Sequence, residues 1–370
     1  MRSILRTLTP LLLLPALVVI DASRSDPADA KQRPMSTVKV AAVNVREGSL
    51  VRPRVDLANS DDRRSFARRL LNRPGRAPDV LLLQEVLGSA RAVARSLNNR
   101  PKALRGGARY RVAVAPRVRK GSGPCAGRRT GRYTTLRDSA ILVNTKTVRK
   151  VHATGVVRTW GQWLPMDGRG KVIGCAEQPW ARLTVQQPGM RARTALAVSV
   201  HLAPRAPWLK NSAMTRLQKV VDRMHAKAPR HLVVIGGDFN LNRCNQPLAR
   251  AERPGCALRR GHRNLLDAGY RDAALSPNRT GRAGSAGVAR RIDFVYTKGT
   301  VRSSWYDRCY RAYLVKRFPC ERKRTVFGAA GRFGECQHRA LFIGRHGGGC
   351  PSYDFRRYYS DHPIVLATLR

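Results

Sequence analysis

Short runs of apolar, often β-branched residues recur along almost the whole chain, and they constrain the fold more than any other feature. Runs of this length, bounded by turn-forming residues, are typical of buried strands. Helical patterns separate some of them, but strands and helices do not alternate regularly. The runs lie at residues 38–45, 79–83, 140–143, 148–151, 181–185, 194–200, 231–235, 292–296 and 364–369.

Two segments show helical periodicity instead. Residues 211–225 place Met214, Leu217 and Val221 at helical spacing, and residues 63–71 form a shorter amphipathic stretch. Many short strands with few helices argue against a doubly wound parallel sheet. We therefore predict an α+β fold with two packed, mostly antiparallel β-sheets flanked by helices, which is a four-layer αββα sandwich.

Two local expectations follow from the same patterns. Residues 140–143 and 148–151 are close enough in sequence to pair as a hairpin. The Gly- and Arg-rich stretch around Cys125 lacks periodicity, and we expect it to be a loop.

The first thirty residues are typical of a targeting segment. Arg2 and Arg6 precede an apolar run at 11–20, and Ala28-Asp29-Ala30 offers a cleavage site before Lys31. The run is shorter than the ~20 apolar residues of a membrane helix. We predict a signal peptide at 1–30, a single mature domain at 31–370, and a secreted protein without stable membrane insertion. An uncleaved N-terminal anchor is the alternative.

The eight cysteines support export, because an even number without Cys-x-x-Cys spacing favours disulfides in an oxidising compartment. Their connectivity stays open. Short loops favour the pairs Cys244 with Cys256, Cys309 with Cys320 and Cys336 with Cys350, which leaves Cys125 with Cys175.

Four of the cysteines lie in a basic, aromatic-rich stretch at about 297–357, which we predict to be an insertion in the domain. Arginines next to aromatic residues suit stacking on bases or binding of phosphates. A disulfide-linked surface insertion with its own small core fits the composition equally well.

The charge balance points to an anionic partner. The chain has 71 Lys and Arg against 23 Asp and Glu, a formal net charge of +48. A GC-rich coding bias accounts for the many arginines but not for the shortage of acids. Such a surface attracts polyanions in a salt-dependent way. Nucleic acid is the first candidate, and anionic lipid or an anionic cell wall would experience the same attraction.

Polar side chains of one chemical kind follow several of the buried runs. Phosphodiester hydrolysis requires a cation, a base for the attacking water and donors for the phosphate oxygens. Magnesium prefers carboxylates and retains some of its water. The strand-end residues that match these needs are Asn44, Glu85, His201, Asp238, Asn240, Asp361 and His362, with Asp293 inside an apolar run.

Four motifs around these residues occur in a familiar order, and together they are specific. They are Gln84-Glu85-Val86, Gly237-Asp238-Phe239-Asn240, Arg291-Ile292-Asp293-Phe294-Val295 and Ser360-Asp361-His362-Pro363. In this order they resemble the DNase I-like endonuclease/exonuclease/phosphatase superfamily. The run Val198-Ser199-Val200-His201-Leu202 is similar to its counterpart in the secreted nuclease branch. The resemblance covers about 38–370.

The resemblance implies a role for each of these residues. Glu85 would bind the metal with Asn44 and Asp361, and Mg²⁺ is expected, with Mn²⁺ or Ca²⁺ as alternatives. The other implied roles are orientation of the water and the phosphate by Asp238 and Asn240, catalysis by His362 held by Asp293, and phosphate contact by His201 steered by Asp138.

These expectations combine into a secreted, monomeric, metal-dependent phosphodiesterase that hydrolyses nucleic acid, DNA rather than RNA, by in-line attack of water. The chain departs from the resemblance at Glu177-Gln178-Pro179, where DNase I-like nucleases often carry Arg-Glu-Pro, so a preference for duplex DNA stays open. The alternatives are a sphingomyelinase-like phosphoesterase acting on lipid head groups and a non-enzymatic binding protein.

Overall fold

Strands dominate the structure. The computed structural model describes residues 33–45, 66–67, 70–71, 77–86, 90–120, 134–163, 172–202, 207–241, 258–273, 279–280, 293–306, 313–315, 325–328, 331–334, 340–342 and 364–370. The strands in this part are β1 (Val38–Asn44), β2 (Val80–Gln84), β3 (Tyr110–Val114), β4 (Arg117–Lys120), β5 (Thr134–Arg137), β6 (Ala140–Asn144), β7 (Val148–Trp163), β8 (Val172–Val185), β9 (Arg193–His201), β10 (Leu232–Asp238), β11 (Arg271–Asp272), β12 (Arg279–Thr280), β13 (Asp293–Thr297), β14 (Val301–Tyr306), β15 (Tyr313–Val315), β16 (Thr325–Gly328), β17 (Gly331–Gly334), β18 (Ala340–Phe342) and β19 (Val365–Leu369).

Helices are fewer. Those with defined bounds in the described residues are α1 (Ala90–Asn98), α2 (Lys102–Arg105), α3 (Pro207–Ala226) and α4 (Arg260–Asp267). Phe66, Ala67 and Leu70 are also helical, within the segment predicted as a helix.

Two large sheets contain most of the strands. The first has the order β12-β14-β19-β1-β2-β6-β3, and the second has the order β11-β13-β10-β9-β8-β5-β4, with β7 paired to β8. Most neighbours are antiparallel, but four pairs of the described strands are parallel: β1 with β2, β9 with β10, β5 with β8, and β12 with β14. Two small sheets pair β15 with β18 and β16 with β17. The predicted class, two packed and mostly antiparallel sheets, is confirmed.

Alternation along the strands produces four layers. In β1, Val38, Val40 and Ala42 belong to a core cluster shared with strands of the second sheet, whereas Ala41 and Val43 belong to a cluster with helical residues. Side chains alternate between the two faces of a strand. Both faces of the central strands are therefore buried, one against the other sheet and one against helices.

Helix α3 covers the outer face of the second sheet. Its fully buried Met214, Leu217 and Val221 pack in one cluster with Val198 of β9 and Ile235 of β10. The helix begins at Pro207, four residues before the predicted start, and proline is favoured at a first helical position.

Several local predictions were wrong. Residues 140–143 and 148–151 do not form a hairpin, because β6 pairs with β2 and β3 in the first sheet whereas β7 pairs with β8 in the second. The chain crosses between sheets there, a tertiary choice that short apolar runs do not encode. The stretch before them is not all loop either, since it includes β3, β4 and β5.

The remaining predictions can be compared with the described residues only in part. Strand β14 lies within the predicted insertion but pairs with β19 in the first sheet. Among the described residues, no helix has the length and apolar character needed to cross a membrane. The predicted signal peptide, and all the predicted cysteine partners except Cys175, lie outside the described residues.

Candidate active site

The central strands of both sheets end at the same edge of the sandwich. Parallel pairing places Asn44 of β1 beside Gln84 of β2, and His201 of β9 beside Asp238 of β10. Glu85 directly follows Gln84. The polar residues predicted at separate strand ends are thus brought together by two parallel pairs in facing sheets.

Asn44 links the two sheets at this edge. Its side-chain Nδ2 donates to Glu85 Oε1 at 2.8 Å and to Asp238 Oδ2 at 3.1 Å. Asn44 and Asp238 are buried, whereas about a quarter of the Glu85 side chain, 28%, is exposed. One amide therefore holds two carboxylates from different sheets, and one of them is open to solvent.

His201 is held from two directions. Its Nδ1 lies 2.6 Å from Asp138 Oδ2, and its Nε2 lies 3.6 Å from Glu85 Oε1 and 3.8 Å from Asp238 Oδ2. Gln178 contacts its backbone twice: Oε1 accepts from the His201 N–H at 2.7 Å, and Nε2 donates to the His201 carbonyl at 3.0 Å. The ring position is thus fixed, with Nε2 directed at the acidic cluster.

The electrostatic surroundings favour a charged His201. Burial alone would lower its pKa, but the carboxylates of Asp138, Glu85 and Asp238 outweigh burial and raise the pKa to about 10. At neutral pH both ring nitrogens are then donors. Nε2 can consequently donate to an anionic oxygen, and a protonated imidazole is not a metal ligand.

Asp238 and Asn240 form a compact turn after β10. Asp238 Oδ1 accepts from the Asn240 backbone N–H at 2.7 Å, and Asn240 Nδ2 donates to the Leu202 carbonyl at 2.8 Å. The buried Lys210 of α3 donates from Nζ to the Asn240 carbonyl at 2.6 Å. Side chain and backbone of Asn240 are therefore both anchored.

Two residues of the site have left-handed backbones. The φ angles are +54° at Glu85 and +47° at Asn240. Positive φ is uncommon for residues other than glycine and persists where surrounding contacts impose it. In both cases it ends a buried strand and turns the polar side chain into the cluster.

Gly237 permits the approach of β9 to β10 at the site. Its φ is +145°, and a Cβ atom there would lie 2.0 Å from the Val200 carbonyl oxygen. A larger residue would therefore displace β9 just before His201. This explains glycine before Asp238 in the motif.

Of the remaining predicted site residues, Asp293 is among the described residues. Asp293 begins β13, is buried and is the register partner of Asp238. Asp361 and His362 lie outside the described residues. The next described residue is Ile364, and Val365 pairs with Ala42, two residues before Asn44. The roles assigned to all these residues stay predictions.

A divalent cation fits this donor set. Ligand atoms of Glu85, His201 and Asp238 all lie within 4.8 Å of one another. Hard cations prefer carboxylate oxygens, and two carboxylates from different strands converge here. Because Nδ1 of His201 is held by Asp138, the carboxylates are better ligands than the imidazole, and Glu85 is the more exposed of the two.

The sequence does not predict the contacts of two residues of the site. Gln178 lies in the run that departs from the family motif, and no sequence pattern marks Lys210. A glutamine inside a buried strand is a weak signal of a backbone contact. A lysine in the first turn of a helix has no signal, because its burial depends on tertiary packing.

Similarity to one solved structure supports the fold, and two further structures are similar at lower TM-scores. An endonuclease/exonuclease/phosphatase from Bacteroides vulgatus matches with 14% identity and a TM-score of 0.50, over 90% of this chain and 99% of that one. C. elegans TDP2 shares 17% identity at a TM-score of 0.43, over 91% of this chain and 76% of that one. The human Nocturnin catalytic domain with bound sulfate shares 14% identity at a TM-score of 0.46, over 91% of this chain and 96% of that one.

The family assignment comes from a family model. No curated protein matches the chain. The model of the endonuclease/exonuclease/phosphatase family matches residues 41–362, which include every strand-end residue of the site. The chain therefore belongs to this family and is an enzyme that hydrolyses phosphodiester bonds.

Proposed function

We propose that the chain is an extracellular, metal-dependent nuclease that hydrolyses DNA by in-line attack of water on phosphorus. The observation that carries the proposal is the convergence of Glu85, Asp238 and the Asp138–His201 pair on one edge of the sandwich. A net charge of +48 favours a polyanionic substrate over a lipid head group.

Each residue has a defined task in this proposal. Glu85 and Asn44, with Asp361, would hold Mg²⁺, which polarises the phosphate and stabilises charge that develops on its oxygens. His201 donates from Nε2 to a non-bridging phosphate oxygen, while Asp138 keeps its ring in place.

The attacking water is positioned by the residues at the end of β10. Asp238 and Asn240 orient the water, and His362, held by Asp293, accepts the proton that the water loses as its oxygen bonds to phosphorus and the bond to the leaving oxygen breaks. A buried acid beside an imidazole fixes its tautomer and increases its basicity. These roles are supported by the register of Asp238 with Asp293 and by the anchored turn at Asn240.

Export is proposed from the first thirty residues and from the even number of cysteines. The N-terminal sequence of protein recovered from the culture medium should begin at Lys31. Recovery of the full-length chain only in the membrane fraction would reject this part of the proposal.

One assay separates the candidate substrates. Purified protein is offered plasmid DNA, RNA and sphingomyelin vesicles, first with Mg²⁺ and then with excess chelator. We expect plasmid cleavage that requires Mg²⁺ and weakens steeply as salt rises, because phosphate contacts release counterions. Hydrolysis of sphingomyelin with intact nucleic acids would support a lipid phosphoesterase instead.

A further inference from the structure

A ridge of basic residues borders the site on its β8 side. Strand β8 has two edges. One pairs with β7 along its whole length, from Val148 opposite Val185 to Trp163 opposite Val172. The other pairs with β9 only over Trp180–Val185 and with β5 at Ala176. Strand β5 therefore continues the same edge of β8 just beyond the end of β9.

This arrangement brings the hairpin of β4 and β5 next to His201. Arg137 ends β5 and is followed by Asp138, whose carboxylate contacts His201 at 2.6 Å. Arg117 of β4 is the Cα partner of Arg137. Backbone geometry then places the Cα of Arg117 within roughly 10 Å of the Cα of Asp138.

The register also assigns the ridge to the face of the sheet that carries the site. Leu136 is the partner of Ala176, so positions 137 and 177 share the other face. The alternation from the pair of Ala181 with Ala197 places Glu177 and His201 on that face too. Arg158 of β7 is the partner of Glu177 and contacts its carboxylate at 3.6 Å.

The charge of these four strands is strongly one-sided. Together β4, β5, β7 and β8 contain eight Lys or Arg and one acid, Glu177. Like charges directly opposite on a ladder, as at Arg117 and Arg137, are destabilising. Arg117 is exposed, as is 46% of the Arg158 side chain. A bound polyanion would relieve this repulsion.

We propose that this arginine ridge, whose exposed members among the described side chains are Arg117 and Arg158, binds phosphates of a polynucleotide strand away from the scissile bond. The inference rests on the proposed nuclease function and sharpens it: the preferred substrate is a polymer rather than a dinucleotide or a lipid head group. The ridge holds the flanking backbone while the strand-end cluster performs the chemistry.

The test compares substrates of two lengths. Single-stranded DNA of roughly 20 nucleotides and a dinucleotide are assayed with the wild type and with Arg117→Glu over a range of salt concentrations. The matched control is Arg149→Glu, an exposed arginine on β7 about 30 Å from Arg158 along the same strand. Arg117→Glu should also remain folded, because position 117 is exposed and its register partner is an arginine.

We expect Arg117→Glu to lower the ratio of kcat/KM for the long over the short substrate by about tenfold or more. Loss of one phosphate contact should reduce the salt slope for the long substrate by about 0.7. Arg149→Glu should keep the ratio and the slope of the wild type, and Arg117→Lys should restore most of the ratio.

The outcomes separate the ridge from the function on which it rests. If the wild type cleaves neither DNA substrate, the proposed function fails. If the wild type cleaves both and Arg117→Glu keeps its ratio and salt slope, the ridge alone is rejected. Equal losses in Arg117→Glu and Arg149→Glu would indicate general surface charge and also overturn the ridge.

Discussion

Strand β2 carries an acid at each end, and the two acids have different surroundings. Asp79 precedes the strand and accepts hydrogen bonds from the Lys39 backbone N–H at 2.8 Å, Thr147 Oγ1 at 2.5 Å and Gln187 Nε2 at 3.4 Å. Glu85 follows the strand and shares the Asn44 amide with Asp238.

The comparison shows what distinguishes a structural acid from a functional one. Neutral donors from three chain segments surround Asp79, so it connects those segments. At the other end, two carboxylates meet at one amide and one imidazole, which concentrates negative charge in a partly open place. An acid among neutral donors stabilises the fold, whereas acids gathered at one point can hold a cation.

The largest effect is expected from substitutions in the active site, which should lower activity without affecting the Asp79 end of β2. Asp238→Asn and His362→Ala should each lower kcat by ~10² to ~10⁴, because each removes a positioned acid or base. Asp79→Asn should keep kcat within about twofold of the wild type, since it lies at the other end of β2. Initial rates on DNA with Mg²⁺ give the comparison, and near-normal turnover in either site variant would reject its role.

The next effect concerns stability and is expected at Asp79, the structural end of β2. Asp79→Ala should lower the free energy of unfolding by about 1–3 kcal/mol, because it leaves buried donors without their acceptor. Glu85→Ala should cost less or even stabilise, since it removes one of two neighbouring carboxylates. Urea denaturation at neutral pH measures both, and the reverse order would contradict the comparison.

A smaller effect concerns the support of Asn240. Lys210→Met removes the 2.6 Å contact with the Asn240 carbonyl and should lower kcat/KM about tenfold, roughly 1.4 kcal/mol. The loss should fall on kcat rather than KM, because Asn240 is proposed to orient the water. Lys210→Arg serves as the conservative control, and a loss confined to KM would argue against this support.

The last prediction concerns a difference in pH dependence, measured in chelator. The His201 pKa is raised to about 10, so its stabilising contribution is complete below its ordinary value of 6.5 and is lost as pH rises through about 10. Burial raises the pKa of Asp79, so its contribution is complete below 3.8 and is lost as pH rises above that value.

Two variants test these two pH ranges separately. His201→Gln should flatten the decline of the unfolding free energy between about pH 6.5 and 10, and Asp79→Asn should flatten it on the acid side. Urea denaturation across this range provides the measurement. If His201→Gln retains the wild-type decline, the charged state assigned to His201 is wrong.

The sequence predicted the layers and the central strands because both depend on local patterns. The runs containing Val40, Leu82, Val198 and Val234 are apolar on both faces, as buried central strands require. The crossing of the chain between β6 and β7 could not be predicted, because it depends on which sheet offers a partner to each strand.

The same division applies to the site. Asn44, Glu85, His201 and Asp238 were predictable because polar side chains directly follow buried runs and match known motifs. Gln178 and Lys210 were not, since each acts on a backbone group far away in sequence. Left-handed backbones at Glu85 and Asn240 also arise from surrounding contacts rather than from residue type.

The central claim is that strand ends from both sheets build one active site for phosphodiester hydrolysis, with the cation held at Glu85. Its most direct test is an anomalous difference map from crystals of the active protein soaked in Mn²⁺. The account predicts a peak within coordination distance, about 2–2.5 Å, of a Glu85 carboxylate oxygen, absent in Glu85→Gln. Binding of Mn²⁺ only elsewhere, with activity retained in Glu85→Gln, would contradict it.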